Sequence, residues 1–202
     1  VNGVITVNAL EADDAVREQT RTALREPYRT LLGHLRHEVG HYYWDRLIMQ
    51  TPWLATFRQL FGDERQDYVQ ALAQHYEHGA PSKWQEKHVS EYASSHPWED
   101  WAETWAHYLH MRDALDTAAS FGLSADDVEA RVHPFDRSAL WDASREGSVE
   151  YLRLVNDWLR VTSLLNELSD SLGQAAFYPF LLSPAVVAKL QFVHEVVHSV
   201  NT

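Results

Sequence analysis

Two stretches of the sequence carry the pattern His-Glu-x-x-His, whose residue types and spacing suit metal-assisted hydrolysis. The first is HEVGH at residues 37–41 and the second is HEVVH at residues 194–198. On an α-helix, side chains four positions apart lie on one face, about 6 Å apart along the axis, so two histidines can bind one metal ion. The glutamate between them points sideways, where it can take a proton from a water molecule on the metal. A third ligand has to come from another part of the chain.

The local context of HEVVH favours packing over metal binding. The motif ends four residues before the end of the sequence, and no carboxylate follows it. Valines occupy four positions of the same helical turns, namely 193, 196, 197 and 200. We therefore interpret His194, Glu195 and His198 as part of a packed terminal helix.

The context of HEVGH favours a metal site. The motif lies inside a long helical segment, which makes His37 and His41 the candidate ligands and Glu38 the candidate general base. Gly40 lies in the helix interior, where glycine costs about 1 kcal/mol relative to alanine, and this indicates that another segment approaches the backbone there. His34 lies one turn earlier on the same face. We interpret it as a neighbour, because the motif already supplies two histidines.

A pair of carboxylates further along the chain could complete the site. In HPWEDWAETWAH, at residues 96–107, Glu99 and Glu103 are four positions apart and share one helical face. Burying carboxylates without a partner is costly, and two histidines with a zinc ion would supply that partner. Alternatively, the two carboxylates lie on a solvated face or form an ion pair with Arg112 or Lys87.

Small and aromatic residues alternate around this acidic helix. Ala102 and Ala106 flank the carboxylates and would allow a second helix to come close. Trp98, Trp101 and Trp105 fall on the roughly opposite face, and we expect them to pack in the core. The carboxylates are then expected to face away from that core.

The bulk composition limits the class of protein. The chain has 202 residues, 45% of them hydrophobic, which is enough for one domain with a substantial core. The formal net charge of -12 would repel nucleic acids and anionic membrane surfaces, so we expect neither as a partner. The absence of cysteine leaves metal binding to His, Asp and Glu and suits a reducing compartment, so we expect a cytoplasmic location. No apolar run is long enough to span a membrane.

The periodicity of the sequence predicts a helical domain with one strand. Residues 1–8, VNGVITVN, alternate as a strand does and could form the edge of a small sheet. Apolar periodicity, capping residues and prolines predict helices over residues 11–24, 27–50, 63–79, 97–122, 148–173 and 183–200. The chain starts with Val1 and not Met, so we expect a processed or truncated protein.

Three long strings place the chain near a known family. GHLRHEVGHYYWDRL, FGDERQDYVQAL and SSHPWEDWAETWAHYLH resemble the bacterial zinc-binding metallopeptidases of zincin type, whose full-length members begin with a zinc ribbon. The resemblance covers nearly the whole chain. It implies a mainly α fold (α+β, zincin-like) in one domain over residues 1–202, without the zinc ribbon. Trp44 and Leu47 stand where metzincins need Gly and His, so the similarity is to gluzincins.

The same resemblance implies roles for the acidic pair. In gluzincins the third ligand is a Glu in the pattern Glu-x-x-Ala followed by Asp, Asn or Glu, and Glu99, Ala102 and Glu103 match it. Glu99 would then bind one Zn²⁺ per chain together with His37 and His41, while Glu103 would accept a hydrogen bond from one of the histidine rings. Relatives in this family have a tail similar to KLQFVH, which makes HEVVH a local coincidence.

A peptidase reaction needs further groups around the metal. Glu38 would transfer the proton, and a peptide or protein substrate could pair with a sheet edge formed by residues 4–7. His96, Tyr92 and Tyr178 are candidate donors to the oxyanion, and the sequence does not rank them.

Two other functions compete with peptidase activity. A catalytically silent zincin-fold module would bind or scaffold without turnover, but such modules usually lack the general base, and Glu38 is present. A metal-free helical interaction domain would use the many aromatic residues for packing or for a partner.

Overall fold

Seven α-helices account for most of the computed structural model, which describes residues 4–5, 9–23 and 29–199. They are α1 (Asp14–Ala23), α2 (Leu31–Leu47), α3 (Trp53–Phe61), α4 (Tyr68–His78), α5 (Pro97–Ser120), α6 (Ser148–Ser171) and α7 (Pro184–Ser199). Short 3₁₀ turns lie between several of them. Among the described residues, no helix is both long and apolar enough to cross a membrane.

The helices with clear start and stop signals form as predicted. α5 begins at Pro97, and α6 and α7 match the predicted spans to within two residues at either end. At the start of α7, the Ser183 hydroxyl accepts a hydrogen bond from the Val186 N–H (3.2 Å). α2 starts at Leu31, later than predicted, because Thr30 caps it by accepting from the Gly33 N–H (3.0 Å). The predicted start at Pro27 lies outside the described residues.

The prediction between residues 50 and 79 was wrong in its boundaries. α3 was missed because Pro52, read only as a stop signal, also has the φ of -58° that suits a helix start. Gly62 then ends α3 with a φ of 107°, a region that favours glycine. α4 begins at Tyr68 and not near Asp63, because Asp67 caps it by accepting from the Gln70 N–H (2.9 Å).

The predicted N-terminal strand is not supported. Val4 and Ile5 form no regular element and are 72% and 36% exposed, and the rest of residues 1–8 lies outside the described residues. The described part of the chain contains no strand with which this stretch could pair. Alternation alone cannot establish a strand without such a partner. The proposed pairing of a substrate with a sheet edge loses its basis.

α5 is the central helix of the fold. It packs against α2, α3, α6 and α7. Trp101 is fully buried, and its ring lies 6.0–6.3 Å from the rings of Phe57, Phe61 and Phe192. These contacts confirm the prediction that Trp101 packs in the core, and they fix the rotation of α5 about its axis.

The backbones of α2 and α5 come close together at Gly40. A Cβ atom on this residue would lie 3.0 Å from Ala102 Cα and 3.2 Å from Trp105 Cδ1. The Gly40 carbonyl also accepts a hydrogen bond from Trp101 Nε1 (2.9 Å). The approach predicted from Gly40 and Ala102 is therefore confirmed.

A buried ion pair joins the start of α5 to α7. Lys189 Nζ lies 2.6 Å from Asp100 Oδ2, and the two side chains are 5% and 1% exposed. The ammonium group also donates to the Lys87 carbonyl (2.7 Å), and His88 Nδ1 lies 3.0 Å from the same Asp100 oxygen. These contacts attach the first turn of α5 to α7 and to the segment that contains Lys87 and His88.

Substituting Gly40 tests the helix contact. We expect Gly40→Ala to lower the free energy of unfolding by about 1–2 kcal/mol, because overpacking against backbone costs more than the gain in helix propensity. Gly40→Val should lower it further. Urea denaturation would measure both variants, and an Ala variant more stable than the wild type would show that α2 and α5 can separate at little cost.

Candidate metal centre

Three side chains from two helices bring their donor atoms together. His37 Nε2 and His41 Nε2, on α2, lie 3.1 Å apart. Glu99 Oε2, on α5, lies 2.9 Å from His37 Nε2 and 3.5 Å from His41 Nε2. Tetrahedral zinc with bonds of about 2.1 Å keeps its ligand atoms about 3.4 Å apart. The spacing of the three donors is close to that value.

The hydrogen bonding of Glu99 also suits a cation. Glu99 is 1% exposed, and among the described residues its Oε2 atom has no hydrogen-bond partner in a suitable direction, despite the nearby His37 nitrogen. A buried carboxylate oxygen without a partner costs free energy. A metal ion at the point that the three donors share would remove that cost, so these residues fit a zinc ion.

Glu103 binds the opposite edge of the His37 ring. His37 Nδ1 donates to Glu103 Oε1 (2.7 Å), and the other Glu103 oxygen accepts from the Ser90 hydroxyl (2.6 Å). The two carboxylates therefore do not face solvent. Among the described residues, the ion-pair partners of the two carboxylates are His37 and His41 and not Arg112 or Lys87, the alternative partners. Arg112 lies 3.9 Å from Asp116 and is 41% exposed.

A tyrosine that the sequence analysis did not single out contacts Glu99. The Tyr68 hydroxyl, at the start of α4, donates to Glu99 Oε1 (2.6 Å). Ser90 was missed in the same way. Both contacts depend on tertiary structure, and no local pattern in the sequence indicates them.

The carboxylates control the protonation of His37. Burial lowers the pKa of His37, but its hydrogen bond with Glu103 and the nearby negative charge of Glu99 outweigh burial and raise the pKa to about 10. Burial raises the pKa of Glu103, but the hydrogen bond with His37 contributes to lowering it to about 2. Without metal, His37 is therefore an imidazolium held between two carboxylates at neutral pH.

Comparison with known proteins agrees with this geometry. Residues 1–196 match the model of a family described as "Putative zinc-binding metallo-peptidase". The chain belongs to this family. Uncharacterized proteins of Mycobacterium bovis and of two Mycobacterium tuberculosis strains are 49% identical to it over 200 residues, covering 98% of this chain and 55% of theirs. The chain thus spans about half the length of these curated relatives. No solved structure gives a significant match.

In this metallopeptidase family member, Glu38 lies beside the three donors and not among them. Its side chain is 32% exposed, and its Oε1 atom lies 3.7 Å from His34 Nε2. Within the described residues, the group of donors that could share a metal ion contains His37, His41 and Glu99 but not His34. This agrees with the interpretation of His34 as a neighbour.

The three candidate oxyanion donors lie in different environments. His96 caps α5, with Nδ1 accepting from the Trp98 N–H (3.1 Å) and Nε2 donating to the Gln66 carbonyl (3.2 Å). Tyr178 is buried, and its hydroxyl lies 2.7 Å from His107 Nδ1. Tyr92 is half-buried, with its ring 5.9 Å from that of His37. Of the three, Tyr92 is the residue that contacts a donor of the site.

The expected placement of Trp98 needs correction. Its ring lies 4.0 Å from the His41 ring, between centroids, so it packs against the site and not only in the core. Trp98 is in the first turn of α5, next to Glu99. The indole forms an apolar contact that holds the His41 ring.

The HEVVH motif packs as the sequence analysis predicted. His194 Nδ1 lies 3.0 Å from the Tyr108 hydroxyl, and His198 Nδ1 donates to the His194 carbonyl (2.8 Å). Within the described residues, no third donor joins them in a group that could hold a metal ion. Burial lowers the pKa of His194 to about 4, so this histidine is neutral at neutral pH.

Zinc uptake should depend on pH through His37. The charged ring stabilises the metal-free state at neutral pH, and this contribution is lost as pH rises through about 10. Zinc must displace that proton, so we expect one proton released per zinc and an affinity that rises about tenfold per pH unit from pH 7 to 9. Chelator competition at three pH values and calorimetry in two buffers would measure both quantities.

Glu103→Gln provides the control for this pH dependence. The substitution removes one of the charges that raise the pKa of His37, and we expect a flatter dependence of affinity on pH. A zinc affinity independent of pH in the wild-type protein would contradict the proposed charge state of His37.

Proposed function

We propose that the protein is a zinc-dependent metallopeptidase of gluzincin type that hydrolyses peptide bonds in a peptide or protein substrate. His37, His41 and Glu99 hold one Zn²⁺ per chain. The observation that carries this proposal is the convergence of three donor atoms around Glu99 Oε2, a buried oxygen with no hydrogen-bond partner in a suitable direction among the described residues. The family match supports the same reaction class.

Glu38 is the general base of the proposed reaction. When bound, zinc supplies a Lewis acid that lowers the pKa of a coordinated water molecule to about 7. Glu38 would accept a proton from the water that attacks the scissile carbonyl and would then deliver it to the leaving amine. The products are a carboxylic acid and an amine. The partial exposure of Glu38, at 32%, leaves its carboxylate accessible to substrate.

Glu103 and Ser90 orient the His37 ring. The hydrogen bond from His37 Nδ1 to Glu103 leaves Nε2 as the nitrogen that faces the metal, and the Ser90 hydroxyl fixes the carboxylate. This arrangement supports the roles implied by the family pattern, with Glu99 as the ligand and Glu103 behind the histidine.

Tyr92 is the best placed of the candidate oxyanion donors. Its ring lies 5.9 Å from that of His37, between centroids, so of the three candidates it is the one in contact with a proposed ligand. Burial and the nearby Glu99 charge raise the pKa of Tyr92, so its hydroxyl keeps its proton at neutral pH. A protonated phenol can donate to the charge that develops on the carbonyl oxygen.

Glu38→Gln separates metal binding from turnover. We expect this variant to bind one zinc per chain and to fold like the wild type, while hydrolysis of a denatured-protein or peptide library falls by at least about 10²- to 10⁴-fold. Metal analysis and peptide mass spectrometry would measure the two properties. Glu77→Gln, at a position 74% exposed, is the matched control and should keep full activity.

Each outcome of that experiment is informative. Retained hydrolysis in Glu38→Gln would overturn the proposed mechanism. Zinc binding without hydrolysis by the wild type would favour the silent binding module, and no zinc binding would favour the metal-free interaction domain.

Comparison of the two acidic residues tests the ligand set. Glu99→Ala leaves two histidines, so we expect zinc affinity to fall far below that of the wild type and activity to be lost. Glu103→Ala should cost about 10- to 100-fold in affinity, with zinc still bound at saturation. Chelator competition on both variants would rank them, and a more severe loss in Glu103→Ala would show that the two roles are exchanged.

A further inference from the structure

The two oxygens of the Glu99 carboxylate have different neighbours. Oε1 accepts from the Tyr68 hydroxyl at 2.6 Å, while Oε2 faces the two histidine nitrogens. A carboxylate can bind a metal through one oxygen or through both. With Oε1 held by a hydroxyl group, Glu99 presents a single oxygen to the metal.

The main chain on both sides of this hydrogen bond is fixed. Gln66, two residues before Tyr68, accepts from His96 Nε2 (3.2 Å), and His96 is the cap of α5, three residues before Glu99. Asp67 caps α4, so Tyr68 occupies the first helical position. The main chain therefore positions the tyrosine and the glutamate relative to each other.

The Tyr68 ring is held as well as its hydroxyl. It packs edge-on against His96, at 5.2 Å between centroids, and against Trp98, at 5.9 Å. No residue of α4 is fully buried, so these contacts at its first residue are a main attachment of the helix to the site. The hydroxyl cannot leave Glu99 without disturbing that attachment.

We propose that Tyr68 is a positioning residue that holds Glu99 as a one-oxygen metal ligand. The inference rests on the proposed function, because it assumes that Glu99 binds zinc. Three protein ligands with one bond each leave the fourth position of a tetrahedral site open to water. Binding through both Glu99 oxygens would crowd that position, so the hydrogen bond preserves the site that hydrolysis requires.

Tyr68→Phe removes the hydroxyl and keeps the ring. We expect its zinc affinity, measured by chelator competition, to fall about 10- to 100-fold. With Co²⁺ in place of zinc, we expect weaker visible absorption per metal than in the wild type, because Glu99 then binds through both oxygens and the coordination number rises. The spectrum reports the coordination directly, and a purely structural role for the tyrosine would not change it.

Tyr76→Phe is the matched control, because Tyr76 lies on the same helix and is 63% exposed. Its zinc affinity and Co²⁺ spectrum should match those of the wild type. Far-UV circular dichroism and urea denaturation would establish that both variants are folded.

The outcomes separate this inference from the proposed function. If the wild type binds no zinc, the proposed function fails and this inference with it. If the wild type binds zinc and Tyr68→Phe has the same affinity and the same Co²⁺ spectrum, the inference alone is overturned. Equal losses in Tyr68→Phe and Tyr76→Phe would also overturn it, because they would indicate a general effect on α4.

Discussion

The close approach of α2 and α5 at Gly40 and Ala102 is the constraint on which the site depends. His37 and His41 lie on either side of Gly40 in the sequence, and Glu99 and Glu103 flank Ala102 in the same way. Because no side chain separates the two backbones at the crossing point, the four polar side chains reach across a short gap. A larger residue at the crossing would move every donor atom at once.

The short distance between α2 and α5 also determines how the charges of Glu99, Glu103 and His37 are balanced. Two carboxylates and an imidazole are buried together, and such a group is stable only if a cation neutralises it. In the metal-free protein the proton on His37 balances one of the two negative charges, whereas zinc in the proposed holoprotein would balance both.

The sequence predicted the features that depend on helical periodicity. HEVGH, the spacing of Glu99 and Glu103, and the glycine between the histidines were visible because each is a local pattern on one helix. Tyr68 and Ser90 could not be predicted in this way, because their partners are 31 and 13 residues away in the sequence. The residues next to them in the sequence form no motif. The boundaries around α3 failed because proline both ends one helix and begins the next. The predicted strand depended on alternation alone, in a stretch for which the described residues offer no pairing partner.

The buried pair of Lys189 and Asp100 has a consequence for the order of folding. Asp100 is next to Glu99, yet its cation comes from a helix 89 residues further along the chain. During synthesis α2 and α5 leave the ribosome before Lys189 exists, and until then the Asp100 carboxylate has to stay in water. The first turn of α5, which carries Glu99, therefore has its full set of contacts only when α7 docks, and a fragment that ends before Lys189 would leave the buried Asp100 carboxylate without this cation.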